Sequence, residues 1–280
     1  MLKNIIKITL RKLGYMIVPV KPTPPFIPYI NHYELEYRGN DNPASFDLWL
    51  FNRDAEQWYK EWFYAADRPT WELDEFGWLI SPGDRILEIG CHHGFLTMML
   101  SHCVGPEGFI LALDANPENV IVTQAQITLN GLNKRCKALF CAGSNKPGNL
   151  TFEWRTNSHV ISSFTNKPTY TVPAVTGDML NDEYGPFNVI KVDVEGYEVE
   201  VLQGCKELLQ SHPKLILELH PQFMRDYGYH HDIHDVFELL DIDEYEGTLT
   251  RFRNWGHPSS FKMSDIPNDT VSYLFLKHRK

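Results

Sequence analysis

Five ionisable side chains mark the ends of two apolar runs in this sequence. Lys191, Asp193 and Glu195 alternate along one run, and Glu218 and His220 alternate at the end of the next. In a strand every second residue faces the same side, and buried charges are costly unless they face a site. Ligands of open α/β sheets bind at the carboxyl ends of the strands. The five side chains are therefore predicted to meet in one crevice and to act on a proton there.

A glycine-containing turn precedes these runs. Residues 88–94 read Glu-Ile-Gly-Cys-His-His-Gly, so an acid, Glu88, ends a strand and is followed by Gly90 and Gly94. Glycine leaves room for a ligand beside the backbone, although such turns also occur for purely conformational reasons. The G-x-x-x-G spacing differs from the G-x-G-x-x-G of dinucleotide-binding turns. A nicotinamide oxidoreductase is therefore disfavoured.

A second acid stands in a position that suits a nucleoside. Asp114 ends the next predicted strand about twenty residues later, where a carboxylate can bind both hydroxyls of a ribose. Alternatively, Asp114 caps the helix that begins near Pro117, a role that Asn116 also suits. We expect ribose binding at Asp114.

Short β-rich runs alternate with helical stretches after residue 82, which predicts βαβ units and a parallel sheet. An inserted strand is expected at residues 150–154, and two late strands at residues 245–252 and 271–276. The main strands are predicted at residues 85–89, 109–114, 136–141, 188–193 and 214–219.

Three segments are expected along the chain. Residues 1–28 would form a basic amphipathic helix with a proline-rich tether, and residues 81–280 the catalytic domain. Residues 29–80 would form a helical cap rich in aromatic residues, because Trp58 and Trp62 are spaced four apart as on a helix. This cap could stack on a sugar ring, but such aromatic residues are more often part of a core.

The N-terminal segment invites a membrane interpretation. Its first 21 residues contain five Lys or Arg and no acid, and its apolar residues fall on one arc of a helix. Residues 1–20 could therefore contact a membrane surface peripherally, or they could pack on their own domain. No run approaches the roughly 18–20 apolar residues that span a bilayer.

Composition limits the class of substrate and the compartment. The net charge of −10 disfavours binding to nucleic acid, since that affinity depends on Lys and Arg facing phosphates. The five cysteines are odd in number and lack a CxxC spacing. They indicate a reducing, cytoplasmic setting, with the inner face of the membrane as an option.

The runs that end in charged residues resemble one known family. Residues 190–202, Ile-Lys-Val-Asp-Val-Glu-Gly-Tyr-Glu-Val-Glu-Val-Leu, and residues 215–221, Leu-Ile-Leu-Glu-Leu-His-Pro, look like the FkbM family of methyltransferases. Thr176-Gly-Asp178 is similar to that family's Thr-Leu-Asp. The resemblance implies an α/β, Rossmann-like class I methyltransferase fold, with a seven-stranded, mostly parallel sheet whose last strand is antiparallel. It also implies S-adenosylmethionine as the methyl donor and a hydroxyl as the acceptor.

The chain departs from the family pattern in the glycine turn. The family usually has Asp-x-Gly-Ala-Asn-x-Gly, where this chain has Glu88 for the Asp and His92 for the Asn. Asp114 and Ala115 replace a usual Glu-Pro. The residues predicted to bind the cofactor are Glu88, Gly90, His92, Gly94, Phe95, Asp114, Ala115, Asn116, Gly143 and Asp193.

Methyl transfer to a hydroxyl requires alignment of the reactants and removal of one proton. We expect His220 or a carboxylate among Asp193, Glu195 and Glu218 to be the base, and Lys191 to orient the oxygen. Some of these side chains could instead hold a divalent metal, which is possible but not favoured. The histidines near residues 230–234 look like an ordinary helix start rather than a metal site.

The expected acceptor is a hydroxyl of a sugar in a glycan, glycolipid or secondary metabolite. The alternative from another class is a module without catalysis that binds a nucleoside, or that docks on a membrane through its basic helix. The crowded ionisable crevice argues against this alternative.

Overall fold

The computed structural model describes residues 25–37, 42–63, 71–154, 159–161, 166–227, 229–251, 259–260, 266 and 269–279. The predicted basic helix of residues 1–20 lies outside these residues, so it stays a prediction. Among the described residues, no helix combines the length and the apolar character that crossing a bilayer requires.

The described chain alternates strands and helices from residue 85 onwards, as the sequence predicts. The elements are, in order, β1 (Tyr29–Leu35), β2 (Ala44–Leu50), α1 (Arg53–Phe63), α2 (Trp71–Leu79), β3 (Arg85–Ile89), α3 (Phe95–Val104), β4 (Phe109–Asp114), α4 (Pro117–Leu129), β5 (Cys136–Phe140), β6 (Ala142–Gly143), β7 (Gly148–Glu153), β8 (Thr169–Val175), α5 (Gly177–Tyr184), β9 (Val189–Val192), α6 (Glu198–Gln203), α7 (Lys206–Leu209), β10 (Lys214–Leu219), α8 (Pro221–Asp226), α9 (Ile233–Leu239), a 3-10 turn (Ile242–Glu244), β11 (Tyr245–Arg251), β12 (Ser259–Ser260) and β13 (Ser272–His278).

The main sheet has the strand order β5-β4-β3-β9-β10-β13-β11, with the two-residue β12 at its edge. Strands β5, β4, β3, β9 and β10 are parallel, and β13 lies antiparallel between β10 and β11. The predicted Rossmann-like, seven-stranded sheet with its last strand antiparallel is therefore confirmed, and β12 adds a short eighth strand. From β3 the chain continues to β4 and β5 on one side of the sheet and returns to β9 and β10 on the other side. Such a reversal of strand order opens a crevice at the carboxyl ends of β3 and β9.

The strands are continuous apolar runs because both faces of the sheet are covered. Neighbouring residues of one strand enter opposite layers: Ile86 and Ile110 belong to one buried cluster, whereas Leu87 and Leu111 belong to the other. Both clusters contain fully buried side chains, and burial of a side chain of this size stabilises the fold by about 1.5–3 kcal/mol. The sheet is a rigid platform for the loops at its carboxyl edge.

The segment before the main sheet corrects one prediction. Residues 29–80 were expected to be helical, but β1 and β2 form an antiparallel hairpin, and only α1 and α2 are helical. The reason is the alternation in β2, where Ala44, Phe46, Leu48 and Leu50 are buried at every second position. This period-two pattern outweighs the helical spacing of the tryptophans further along.

Two amide side chains of the α4 region extend the hairpin's hydrogen bonding. Asn130 accepts from the backbone N–H of Asp47 at 2.8 Å and donates to the carbonyl of the same residue at 2.8 Å. Gln126 makes the same pair of bonds with Trp49, at 2.8 and 3.1 Å. These bonds give partners to backbone N–H and C=O groups on the outer edge of β2, and they hold the hairpin beside the glycine turn.

The predicted inserted strand is present as β7, which pairs antiparallel with β8. With β6 they form a separate three-stranded sheet in the order β6-β8-β7. Phe152 and Val160 of this insertion pack with Tyr229 in a small apolar cluster. The insertion therefore forms one wall of the crevice at the carboxyl edge of the main sheet.

Candidate active site

A cavity of about 570 Å³ lies at the carboxyl ends of β3, β4, β9 and β10. It brings together most of the side chains that the sequence nominates. The predicted residues that line it are Gly90, His92, Phe95, Asp114, Ala115, Gly143, Lys191, Asp193, Glu195, Glu218 and His220. Glu88, Gly94 and Asn116 do not line it, and their contact with the cofactor stays a prediction.

The two glycines of the turn are required by the fold itself. Gly90 has a φ of +90°, and a Cβ there would lie 1.7 Å from the carbonyl oxygen of Asp193. Gly94 has a φ of +76°, and its Cβ would lie 2.8 Å from Cγ2 of Thr123. Both positions therefore exclude a side chain for reasons of backbone conformation and packing. Only Gly90 also borders the cavity.

Glu88 is a buried support for the site. Its Oε2 accepts a hydrogen bond from Thr97 Oγ1 at 2.7 Å, and its Oε1 lies 3.7 Å from Lys191 Nζ. Burial raises the pKa of Glu88, and the charge of Lys191 opposes that rise. The acid at this place in the motif therefore helps to position Lys191 at the cavity wall.

Asp114 organises the turn after β4. Its Oδ2 accepts from the backbone N–H of His92 at 2.8 Å, while its Oδ1 accepts from the N–H of Asn116 at 2.8 Å and from Asn119 Nδ2 at 3.1 Å. Burial raises its pKa to about 6. Asn116, not Asp114, caps α4 by accepting from the N–H of Glu118 at 2.9 Å. The carboxylate of Asp114 is thus held in place at the cavity wall.

His92 presents a polar atom for which no partner exists among the described residues. Its Nε2 is buried without a hydrogen bond, and the residue adopts a φ of +50°, which is unusual outside glycine. Its ring lies 5.5 Å from Trp58 and 3.8 Å from His93, measured between centroids. Burial lowers the pKa of His92 well below its usual value, so the ring is neutral. A buried unpaired nitrogen at a cavity wall suits a polar ligand atom.

Lys191 is the central cation of the site. Its Nζ donates to the carbonyl of Gly90 at 3.0 Å and lies 3.5 Å from Asp193 Oδ2. Burial would lower the pKa of Lys191, but the charges of Asp193 and Glu88 raise it. Burial and the negative charge of Glu218 raise the pKa of Asp193 well above its ordinary value. The lysine therefore stays charged, and the carboxylate of Asp193 is more basic than that of an ordinary aspartate.

His220 lies between carboxylates on both sides of its ring. Its Nδ1 is 2.8 Å from Glu198 Oε1, and its Nε2 is 3.4 Å from Glu218 Oε1 and 3.8 Å from Glu195 Oε2. Burial would lower its pKa, but hydrogen bonds to Glu198 and Glu218 raise it well above the usual value. His220 is thus a buried imidazolium, and this charge state makes it unsuited to act as a resting base.

Glu218 has the opposite character to Asp193. Burial would raise its pKa, but the hydrogen bond and charge of His220 outweigh burial and lower it. We refer below to Lys191, Asp193, Glu195, Glu218 and His220 as the charged cluster. Within it, Glu218 is an ionised partner of His220, whereas Asp193 retains basic character.

Several cavity residues come from elements distant in sequence. Trp58 of α1 belongs to the aromatic segment that the sequence analysis considers for ring stacking, whereas Tyr59 of α1, Glu72 of α2 and Tyr273 of β13 escaped it. Burial, followed by the charge of Glu218, raises the pKa of Glu72 to about 8. In the sequence, Glu72 is an acid next to the apolar stripe formed by Leu73 and Phe76. Such a position is typical of a solvent-facing residue, so it gives no signal of a site.

Two histidine groups bear on metal binding. Ligand atoms of Asp193, Glu195 and His220 lie within 4.8 Å of one another, so the donor set of the metal alternative is present. The other group is a helix start: Asp232 caps α9 with a capping box, and His231 Nδ1 lies 3.1 Å from Asp235 Oδ2. The prediction of an ordinary helix start there is confirmed.

Comparison with known proteins identifies a family. The model of the methyltransferase FkbM domain matches residues 88–246, which is more than half of the chain. Hexuronic acid methyltransferase AglP of Haloferax volcanii is 37% identical over 114 residues, which cover 39% of this chain and 43% of that enzyme. The chain thus matches less than half the length of this curated relative.

Solved structures with a similar fold include two methyltransferases of low sequence identity. Methyltransferase FkbM from Methylobacillus flagellatus KT is 12% identical with a TM-score of 0.42, over 72% of this chain and 50% of that one. An rRNA methylase from Streptococcus thermophilus is 9% identical with a TM-score of 0.45, over 75% of this chain and 95% of that one.

Proposed function

The chain belongs to the methyltransferase FkbM domain family, and from this premise we propose that it transfers a methyl group from S-adenosylmethionine to a hydroxyl oxygen. The acceptor is a sugar hydroxyl in a glycan, glycolipid or secondary metabolite. One observation carries the proposal: a carboxylate suited to ribose, Asp114, and the charged cluster line the same cavity.

The residues around the glycine turn fit such a cofactor. Asp114 would hold the ribose hydroxyls, because its carboxylate is fixed by three hydrogen bonds and faces the cavity. His92 offers an unpaired ring nitrogen, and Ala115 and Gly143 leave space at the ends of neighbouring strands. When bound, S-adenosylmethionine supplies a methyl carbon activated by an adjacent sulfonium.

The charged cluster suits a hydroxyl acceptor. Asp193, Glu195 and Glu218 line the cavity together, and Glu72 adds a fourth acid. A hydroxyl can donate its hydrogen to one of these carboxyl groups. Transfer to a hydroxyl also requires a base, which the cavity contains. The lining therefore supports transfer to an alcohol.

Asp193 is the proposed proton acceptor. A raised pKa makes a carboxylate a stronger base once it is ionised, whereas the lowered pKa of Glu218 makes it a weaker one. Asp193 would accept the O–H proton of the acceptor when the hydroxyl oxygen takes the methyl group that bound S-adenosylmethionine would supply. The positive charges of Lys191 and His220 offset the negative charges of the surrounding carboxylates, and Lys191 can orient the acceptor oxygen.

A sugar acceptor is supported by the curated relative and by the chemistry of the lining. The relative is named for methyl transfer to a hexuronic acid, which is a sugar derivative. Carboxylates that accept several hydrogen bonds suit a polyol, and Tyr197 and Phe223 add aromatic surface to the same cavity. These features favour a carbohydrate over a flat aromatic acceptor.

We propose that proton removal proceeds without a divalent metal. Lys191 and His220 already provide two buried positive charges beside the reacting oxygen, which is the role a metal would otherwise fill. Turnover that persists after exhaustive treatment with EDTA is the expected result. Loss of turnover, with recovery on addition of Mg²⁺ or Mn²⁺, would instead assign the metal role to Asp193, Glu195 and His220.

Calorimetry with S-adenosylhomocysteine, S-adenosylmethionine and NAD tests the proposed cofactor. We expect the two adenosyl compounds to bind and NAD not to bind. Asp114→Ala should weaken binding at least about tenfold, because each lost charged hydrogen bond contributes about 1.5–3 kcal/mol. Asp182→Ala is the matched control, since Asp182 is exposed on α5 and does not line the cavity.

A labelled-methyl screen tests catalysis. The protein is incubated with methyl-labelled S-adenosylmethionine and with glycan and lipid fractions of cells, and we expect base-stable label in a carbohydrate fraction. An ether survives mild base whereas a methyl ester does not, so the screen separates hydroxyl from carboxylate acceptors. Binding of S-adenosylmethionine without transfer to any fraction would support the alternative of a non-catalytic module.

A further inference from the structure

A second cluster of potential ligands lies at the opposite end of the main sheet from the cavity. It consists of His212 in the turn before β10, Glu244 at the end of the 3-10 turn before β11, and His278 at the end of β13. Because β13 runs antiparallel to β10 and β11, its last residue lies beside their first residues. Three separate chain segments thus meet at one surface point.

The distances in this cluster match those of a metal site. Glu244 Oε2 lies 3.1 Å from His278 Nε2 and 3.6 Å from His212 Nδ1. Two ligands of a tetrahedral zinc ion with bonds of about 2.0–2.1 Å are separated by about 3.3 Å. The two imidazole rings are 4.3 Å apart between centroids, and all three ligand atoms lie within 4.8 Å of one another. A small cation could contact all three with little movement of the side chains.

The chemistry of the donors selects the ion. Two imidazoles and one carboxylate suit zinc and similar transition metals, whereas magnesium and calcium prefer oxygen ligands. The side chains are 40%, 48% and 36% exposed for His212, Glu244 and His278, so an ion can enter and keep one water as a fourth ligand.

The backbone around the cluster is also held in position. His212 adopts a φ of +51°, an uncommon conformation for histidine, and Glu244 accepts a hydrogen bond from the N–H of Arg279 at 2.7 Å. Tyr245, which pairs with His278 across the strands, is buried and its hydroxyl has no hydrogen-bond partner among the described residues. The structure thus fixes the positions of the three ligands through different elements.

We propose that His212, Glu244 and His278 form a zinc site that joins the turn before β10 to the paired strands β11 and β13. The ion stabilises the edge of the sheet that carries Tyr273 into the cavity. This site is independent of the proposed methyl transfer, because it lies at the other end of the strands and shares no residue with the charged cluster.

Zinc calorimetry on the full chain, prepared without a histidine tag, tests the proposal. We expect one site whose affinity falls at least about tenfold in His212→Ala and in His278→Ala. The matched control is His32→Ala, because His32 also contacts two carboxylates, at 2.7 Å to Asp47 and 3.7 Å to Glu34, but no second histidine is part of that group. Glu195→Gln removes one potential ligand from the charged cluster. Zinc binding that this variant loses would therefore belong to that cluster and not to the proposed site.

Cobalt absorption and thermal melting provide two further readouts. Tetrahedral Co²⁺ bound at the site should give a strong visible absorption band that His278→Ala removes. Zinc should raise the Tm of the wild-type chain and leave that of His212→Ala unchanged, since a ligand stabilises only the state that binds it. Absence of zinc binding, or binding that both histidine variants retain, would overturn the proposal.

Discussion

The cavity combines two parts of the chain that contribute different chemistry. Residues 88–246, which match the family, provide the glycine turn, Asp114 and the whole charged cluster. The flanking parts provide Trp58, Glu72 and Tyr273 from α1, α2 and β13. The matched segment therefore holds the groups that we propose bind the nucleoside and accept the proton. The flanks hold groups that cover the cavity and adjust its charge.

This difference has a physical origin in the sheet. Carboxyl ends of neighbouring parallel strands can present charged groups at fixed spacing, and strands β3, β9 and β10 do so for the charged cluster. The helices α1 and α2 are placed at the cavity by contacts with the sheet, such as that of Phe76 with Phe275 at 5.9 Å between ring centroids. Variants in the matched segment should therefore alter catalysis most, and variants in the flanks should alter affinity and pH dependence.

The largest effect is expected at Asp193. In Asp193→Asn the side chain cannot accept the proton of the acceptor hydroxyl, so kcat should fall about 10²–10⁴-fold. Affinity for S-adenosylhomocysteine should change less than about tenfold. The measurement is the initial rate of label transfer to the responsive fraction, with Asp182→Asn as the control. A kcat within a factor of three of wild type would remove Asp193 from the mechanism.

An intermediate effect is expected at Glu72. Its pKa is about 8 in the folded protein, against an ordinary value of 4.5, so the folded state binds more protons than the unfolded state between these values. Stability should therefore fall as the pH rises through this window. Glu72→Gln cannot ionise, so relative to wild type it should gain about 2–4 °C in Tm at pH 8 for a gain of about 1 kcal/mol.

The Tm difference between Glu72→Gln and wild type is to be measured at a second pH and against a variant of a neighbouring acid. At pH 4, below the ordinary pKa of 4.5, Glu72 is mostly uncharged in both the folded and the unfolded wild-type protein, so the difference in Tm should become small. Asp74→Asn changes an acid on the same helix that does not line the cavity, and it should not reproduce the pH-dependent gain. An equal Tm difference for Glu72→Gln at the two pH values would show that Glu72 is ionised throughout.

The smallest effect is expected at Trp58. This side chain is 38% exposed and lies 5.5 Å from the ring of His92 at the cavity wall. Trp58→Ala should weaken the binding of S-adenosylhomocysteine about two- to tenfold, as an aromatic contact contributes about 0.5–1.5 kcal/mol. Trp78→Ala is the control, because Trp78 is equally exposed at 42% but contacts Lys277 instead. Equal affinities in both variants would assign α1 a purely structural role.

The main sheet could be predicted from sequence because its strands carry strong, uninterrupted apolar runs. Strands β3, β4 and β10 begin and end at the predicted residues. The hairpin β1–β2 could not be predicted as easily, since buried residues alternate with less buried ones along β2 in place of an uninterrupted apolar run, and tryptophans with helical spacing follow it. Its outer edge is also satisfied by Asn130 and Gln126, whose sequence separation of about eighty residues conceals the contact.

The members of the charged cluster were predictable from sequence, but their charge states were not. The period of two along β9 and the end of β10 brought the charged cluster together from sequence alone. The imidazolium character of His220 depends on Glu198, which lies 22 residues away on α6 and is fully buried. The need for glycine at position 94 likewise depends on a residue distant in sequence, Thr123 of α4, which leaves no space for a Cβ there. Such effects require the three-dimensional neighbours.

The bonding of Asp114 has a consequence for the speed of ligand capture. Its carboxylate already accepts hydrogen bonds from His92, Asn116 and Asn119 before any nucleoside arrives. A nucleoside therefore meets an acceptor whose orientation is set, and little ordering entropy remains to be lost on docking. The association rate constant should approach the 10⁵–10⁷ M⁻¹ s⁻¹ that rigid docking permits, so differences in affinity among related nucleosides should be expressed in how long each one stays bound.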